Sequence, residues 1–389
     1  MVEKGFKNTE IGFYPNDWII EDLGEIISNV QLGGNYPNND VDGEYILIKM
    51  GNIARGHIDL KKKYFIKKGI TPNEIDRLHS GDVIFNTRNT LELVGKVAIW
   101  KNEENPAYFN SNIMRIKFKE DKISSDDFMN LILNTPTSLY QLRGIATGTT
   151  SVAAIYPRDL YKIKIPLPPK AEQTAIATAL NDTDTLIEKL EQLIAKKRNV
   201  KTATMQQLLK PKEGWEVKKL GEVAKINTGS KNNEDKVDGG EYPFFVRSAT
   251  VERINSYSYD CEAILIPGDG NIGEIFHYIN GKFEVHQRVY IISNFTKEVL
   301  GKYVYLWFMN YFKEHALKYT SKNTVDSLRL PTFKEFEICC PPTDEQTRIA
   351  QILSDMDSEI EALERQLAKY KLLKQGLMQV LLTGKIRLV

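Results

Sequence analysis

Pro168-Pro169-Lys170-Ala171-Glu172-Gln173-Thr174-Ala175-Ile176-Ala177 and Pro341-Pro342-Thr343-Asp344-Glu345-Gln346-Thr347-Arg348-Ile349-Ala350 are two copies of one stretch. Residues 168–209 and 341–382 align without a gap. Leu180 recurs as Leu353, Asp182 as Asp355, Asp184 as Asp357, Ile187 as Ile360 and Leu190 as Leu363. Lys196 matches Lys369, Met205 matches Met378, and Leu208-Leu209 matches Leu381-Leu382. A register held over that length marks an internal duplication.

Each copy reads as a long helix, with the prolines suited to its first turn. In the second copy Ile349, Leu353, Met356, Ile360, Leu363, Leu367 and Tyr370 alternate steps of four and three, which is a heptad seam. Lys374 interrupts it before Leu377 and Leu381. The first copy holds its seam with Ile176, Leu180, Ile187, Leu190, Ile194 and Leu208. Thr183, Lys197, Lys201 and Thr204 interrupt it, so its far end is expected to be looser or to face a partner. A helix of about 40 residues spans roughly 60 Å at 1.5 Å per residue. Two seams in one chain bury each other most simply as an antiparallel pair. Two unrelated core helices fit less well, because core helices usually stop near about 20 residues.

The duplication extends outward. Trp18 is followed by Leu23-Gly24-Glu25, and Trp215 by Leu220-Gly221-Glu222, with the same spacing. The repeating unit is a globular segment followed by a helix. The segments 44–48, 82–85, 113–116, 263–266 and 288–292 read as short strands. Gly, Asn and Asp clusters separate them, such as Gly33-Gly34-Asn35 and Gly268-Asp269-Gly270-Asn271. A helix-like stretch follows in each copy, at 126–142 and 299–317. Next comes a Thr/Ser-rich loop, Thr147-Gly148-Thr149-Thr150-Ser151-Val152 or Thr320-Ser321-Lys322-Asn323-Thr324-Val325. The expected architecture is mixed α+β (α/β): two globular heads joined by two long antiparallel helices forming a coiled coil. The bounds are 1–155 for the first head, 156–212 for the first long helix, 213–333 for the second head, and 334–389 for the second helix and tail.

The totals narrow the function. With 52 Lys and Arg against 51 Asp and Glu, the net charge is +1, so an electrostatic footprint on nucleic acid must be a local patch or shared with a partner. No run of about 20 apolar residues suggests a membrane span. Residues 1–10 do not resemble a secretory signal. The three cysteines, Cys261 and Cys339-Cys340, form no CxxC pattern, so no disulfide framework or zinc site is indicated. A cytoplasmic location is expected. The five histidines lack metal-ligand spacing. The proline pairs are followed by Lys170 and Thr343, not by the aromatic residue of an Asn/Asp-Pro-Pro-Tyr/Phe methyltransferase element. Neither a Gly-x-Gly-x-x-Gly nor a Gly-x4-Gly-Lys-Ser/Thr cradle occurs. Glu216-Val217-Lys218 lacks the upstream Pro-Asp of a nuclease motif. No catalytic, cofactor-binding or metal residues are assigned.

Three signals, each weak alone, occur twice in the same order: Pro-Pro-x-x-Glu-Gln-x-x-Ile-Ala-x-x-Leu, Trp-x4-Leu-Gly-Glu, and the Thr/Ser-Val loop. Together they resemble the specificity subunit of a type I restriction–modification system, over essentially the whole chain. The resemblance implies two target recognition domains, each reading one half of a bipartite, gapped duplex DNA target. It implies an antiparallel coiled coil that sets the gap. It also implies docking of two modification subunits carrying the S-adenosylmethionine site, with restriction subunits completing the nuclease. This chain is then non-catalytic. The family's pseudo-circular layout implies that residues 381–387 close back on the beginning. The competing reading is a coiled-coil scaffold whose heads bind protein.

Candidate DNA contacts follow from residue chemistry. Gln and Arg suit adenine and guanine edges in the major groove, which singles out His286, Gln287 and Arg288. The equivalent stretch in the first copy is Asn110-Ser111-Asn112, giving Asn112. Arg88, Asn89, Thr90, Arg247 and Ser248 are read similarly. All of these compete with strand-capping and loop roles. Gly-bearing loops early in each head offer Asn35, Tyr36, Ser230, Lys231 and Asn232 for phosphate. Thr149, Thr150, Ser151, Lys322 and Asn323 are candidates from the Thr/Ser loops. The run Lys61-Lys62-Lys63 with Lys67-Lys68 reads as solvated surface first and as phosphate attraction second.

Overall fold

A computed structural model describes residues 5–101, 103, 106–320 and 327–388. The chain divides into two compact units, Met1–Lys189 with Leu367–Val389, and Leu190–Gln366. The long helices, Lys170–Leu208 and Thr343–Leu381, each contribute residues to both units.

In the first unit, an antiparallel sheet orders Val97–Ile99, Val83–Asn86, Ile113–Phe118 and Ile27–Leu32. A second sheet orders Ala107–Phe109, Ile46–Ile48, Phe65–Ile66 and Asn38–Asn39, with its first pair parallel. A small third sheet joins Thr147–Gly148, Ala153–Ala154 and Arg88–Asn89. The expected helix over 126–142 is two helices, Asp126–Leu133 and Pro136–Ile145. Pro136 explains the break, because it disfavours helical backbone at Thr135, which instead caps the next helix by accepting from Ser138 N.

In the second unit, one six-stranded sheet orders Lys225–Thr228, Val289–Ser293, Tyr259–Pro267, His277–Val285, Tyr242–Phe245 and Glu252–Ile254. The helix Gly301–Thr320 packs Phe308 and Phe312 against Phe333 and Phe336 in its core.

Both units attach their helices by the same device. The strand after each Trp pairs antiparallel with the strand before each proline pair: Ile19–Asp22 with Lys164–Leu167, and Glu216–Lys219 with Glu337–Cys340. The Gln of each Pro-Pro-x-x-Glu-Gln is buried and spans three backbone groups. Gln173 donates to Pro168 O (3.0 Å) and Lys122 O (3.1 Å) and accepts from Ser124 N (3.0 Å). Gln346 donates to Pro341 O (2.8 Å) and Glu298 O (2.9 Å) and accepts from Leu300 N (2.8 Å). A buried carboxamide satisfied at both ends fixes the helix to its head, since each bond lost would orphan a buried polar group.

The helices run antiparallel within each unit. In the first, Leu180 is buried with Leu381 and Leu382, with Leu377 and Met378 packed alongside. In the second, Leu209 is buried with Ile349 and Leu353, and Met205 and Met356 pack against them. Ile176, Ile187, Leu190, Ile194 and Ile360 are also buried, whereas Met356, Leu363 and Leu367 are half-buried. The lysines that interrupt the seams have a different outcome from the expected loose end. Lys197 meets Glu359 (2.7 Å) and Lys201 meets Asp357 in the second unit; Lys374 meets Asp184 (2.5 Å) in the first. Each side chain is largely withdrawn from solvent while its ammonium finds a carboxylate on the facing helix.

The tail does return to the beginning of the chain, inside the first unit. Arg387 donates to Glu172 through Nε (2.6 Å) and Nη2 (2.7 Å), and to Asp17 through Nη1 (3.0 Å) and Nη2 (2.7 Å). Trp18 Nε1 donates to the same buried Glu172 (3.1 Å). Those carboxylates raise the guanidinium's pKa, Glu172 most, and Arg387 in turn holds the Asp17 carboxyl below its usual range.

Candidate nucleic-acid interface

A shared backbone frame positions most of the candidate residues. Gly33 N–H donates to Ile113 O (3.1 Å), and Gly229 N–H to Val289 O (3.2 Å). A Cβ on Gly33 would lie 2.1 Å from Phe109 O, and one on Gly229 2.1 Å from Val285 O. Only glycine allows so close a backbone approach. The frame continues with Asn110 N–H to Ile48 O (3.1 Å) beside His286 N–H to Phe245 O (2.9 Å). Thr87 N–H donates to Asn112 O (3.0 Å), as Gly268 N–H does to Arg288 O (2.8 Å). Ile155 N–H then donates to Thr87 O (3.0 Å), as Leu328 N–H does to Gly268 O (2.7 Å). These bonds make positions 33 and 229, 110 and 286, 112 and 288, and 87 and 268 equivalent. Position 88 therefore corresponds to 269: Arg88 is registered with Ala154, and Asp269 is bridged to Ser327.

In the second unit the frame gathers Ser230, Lys231, Asn232, Arg247, Ser248, His286, Gln287 and Arg288. Lys231 is bridged to His286 and accepts Gln287 N–H at its carbonyl (2.8 Å). Gln287 Nε2 donates to Asn232 Oδ1 (2.5 Å). Arg247 Nη1 donates to Asp269 (3.3 Å), and Arg288 Nη1 donates to the same carboxylate (2.9 Å). Gln287 and Arg288 are exposed, but His286 is buried. His286 Nδ1 accepts from Arg288 N (3.0 Å), which makes the imidazole a support for the loop. Burial lowers its pKa, helped by Arg247. Ser248 O contacts His277 Nε2 (3.0 Å).

In the first unit Arg88 and Asn89 form a strand beside the Thr147–Ala154 hairpin. Thr149, Thr150 and Ser151 at its tip are exposed. Thr90 and Thr150 line an open concavity of about 690 Å³ with Leu91, Glu92 and Arg143. Asn112 is half-buried, and its carbonyl also accepts from Thr87 Oγ1 (2.9 Å). Asn35 is exposed. Tyr36 is half-buried: its hydroxyl donates to Asp76 Oδ2 (2.5 Å) and accepts from Asn73 N (3.0 Å), so this polar end is already engaged. Lys322 and Asn323 lie outside the described residues.

The lysine run is partly neutralised. Lys62 pairs with Asp40 (3.1 Å) and Lys68 with Asp42 (2.6 Å). Sequence reasoning missed Asp269, whose Gly-Asp-Gly setting read only as a turn, and also missed Arg143. Among the described residues no helix is long and apolar enough to cross a membrane, and no group of three or more His, Cys, Asp or Glu is placed to hold a metal.

The family model for the type I restriction modification DNA specificity domain matches residues 15–196 and 212–370. A Methanocaldococcus jannaschii protein assigned as the MjaX type I restriction enzyme specificity subunit is 26% identical over 425 residues, covering 99% of this chain and 97% of its own. The Escherichia coli EcoDI type I restriction enzyme specificity subunit is 28% identical over 172 residues, covering 43% of this chain and 37% of its own. In fold, the chain is similar to the crystal structure of the type I restriction–modification S subunit from M. genitalium. That match has a TM-score of 0.65 at 14% identity, covering 98% of this chain and 97% of that one.

Proposed function

The chain belongs to the type I restriction–modification DNA specificity family, with two copies of its domain, and from that premise we propose that each unit reads one half of a bipartite, gapped duplex DNA target. The chain itself performs no chemistry. Two modification subunits dock on it and bring the S-adenosylmethionine site, and restriction subunits join them to make the nuclease. The long helices set the number of unread base pairs between the half-sites.

One observation carries the reading. The same backbone hydrogen bonds recur in both units, while the side chains at equivalent positions differ: Asn112 against Arg288, and Arg88 against Asp269. A frame kept twice with the side chains on it exchanged suits two different sequences read in one manner. The near-neutral charge fits a subunit that binds DNA together with partners rather than by bulk attraction.

The test is selection from randomised duplexes by the complex with its modification subunits. Two short motifs at one spacing are expected. Deleting residues 191–194 removes about 6 Å of helix at 1.5 Å per residue. The gap should change while both motifs persist. A motif lost at unchanged spacing would contradict the spacer role. A protein-binding scaffold would enrich no motif at all.

A further inference from the structure

Asp269 stands among hydrogen-bond donors. Its carboxylate accepts from Arg288 Nη1 (2.9 Å) and Arg247 Nη1 (3.3 Å). The acid's side chain is only 17% exposed, whereas the Arg288 and Arg247 side chains are 64% and 42% exposed. The anchor is thus half-buried, and the two cations are presented outward. The anchor's own backbone is held, because Gly268 is bonded to Arg288 O and Leu328, and Asp269 is bridged to Ser327.

This arrangement gives up net charge for orientation. A phosphate-binding patch gains from every uncompensated cation, and a carboxylate among the arginines works against that. A base edge makes the opposite demand. Guanine O6 and N7 need a guanidinium held in one plane, with two N–H groups directed outward. Each guanidinium has five N–H donors in a fixed fork, and Asp269 takes one from each. Nothing equivalent stands at this place in the first unit, where position 269 corresponds to Arg88 and position 288 to Asn112.

We propose that Asp269 is a positioning residue that aims Arg288 and Arg247 at guanine edges in the major groove, so that the half-site read by Leu190–Gln366 contains a G·C pair. This rests on the DNA-recognition reading above and names the base class that one unit takes.

The experiment uses the full chain assembled with its modification subunits and selects from randomised duplexes. Wild type should enrich two motifs, at least one containing an invariant G·C pair. Asp269→Asn keeps the size and removes the charge. It should lower discrimination at that pair about ten- to a hundredfold, leaving the other motif, the spacing and the melting temperature in place. Arg288→Ala should relax the same pair, and Arg288→Lys should not rescue it, because an ammonium lacks the fork. The proposal is overturned if Asp269→Asn weakens all sequences equally, if it lowers the melting temperature with both motifs intact, or if the altered motif has no G·C pair. Enrichment of no motif by wild type would instead defeat the underlying DNA-recognition reading.

Discussion

Position 112 in the first unit and position 288 in the second occupy the same place in the same backbone frame. Both carbonyls accept a backbone N–H from the strand end opposite, from Thr87 and from Gly268. One carries a half-buried asparagine and the other an exposed arginine anchored on Asp269. One residue further along the opposite strand end, Arg88 stands where the second unit has that aspartate. The frame is therefore specified by backbone bonds and by glycines that no side chain can replace. The side chains at these positions differ between the units without loss of the frame.

Substitutions at the shared frame test that equivalence most strongly. Gln173→Ala and Gln346→Ala each remove a buried carboxamide and the three backbone bonds it makes. Each should cost about 3 kcal/mol in urea denaturation, with the two agreeing to within about 1 kcal/mol. A large inequality would mean that the motif has one structural role in one unit and another in the second. Gly33→Ala and Gly229→Ala should behave as a matched pair too, each losing about 2–3 kcal/mol from overpacking against a carbonyl.

Transplantation probes the exchanged positions. Asn112→Arg should alter the preference of one half-site by about 1–3 kcal/mol, without changing the other half-site or the denaturation midpoint. A change in both motifs would mean that the units do not read independently.

Acidification separates the units by pH window. The folded-state pKa of His286 lies below its ordinary 6.5, so its stabilising contribution is full above about 6.5 and is lost as pH falls through the folded value. Asp17 is also depressed, by Arg387, and its contribution disappears only as pH falls below its ordinary 3.8. The His286→Asn variant should show a flatter stability profile just below pH 6.5 and an unchanged decline near pH 4. The smallest effect is expected for the seam lysines. Lys374→Ala and Lys197→Ala should each cost about 0.2–1 kcal/mol, because each is a single ion pair that still reaches solvent.

The duplication, the paired helices and the strand-rich heads were legible because heptad spacing, proline pairs and repeated Trp-x4-Leu-Gly-Glu are local signals. The equivalence of 286–288 with 110–112 was legible for the same reason. Asp269 was not, since its meaning depends on arginines 22 residues before and 19 after it, brought together only by sheet register. The lysines in the seam misled in the opposite direction: a one-helix pattern does not show carboxylates on the facing helix. Tyr36 looked available because a Gly-rich loop surrounds it, yet Asp76, far along the chain, takes its hydroxyl.

Two independent readers in one chain are tested most directly by base-modification sequencing of DNA from cells expressing this chain with its modification subunits. Modified sites should share two short specific sequences separated by a constant number of unspecified base pairs, and should disappear when this chain is removed. A single continuous motif, or modification that persists without the chain, would contradict that arrangement.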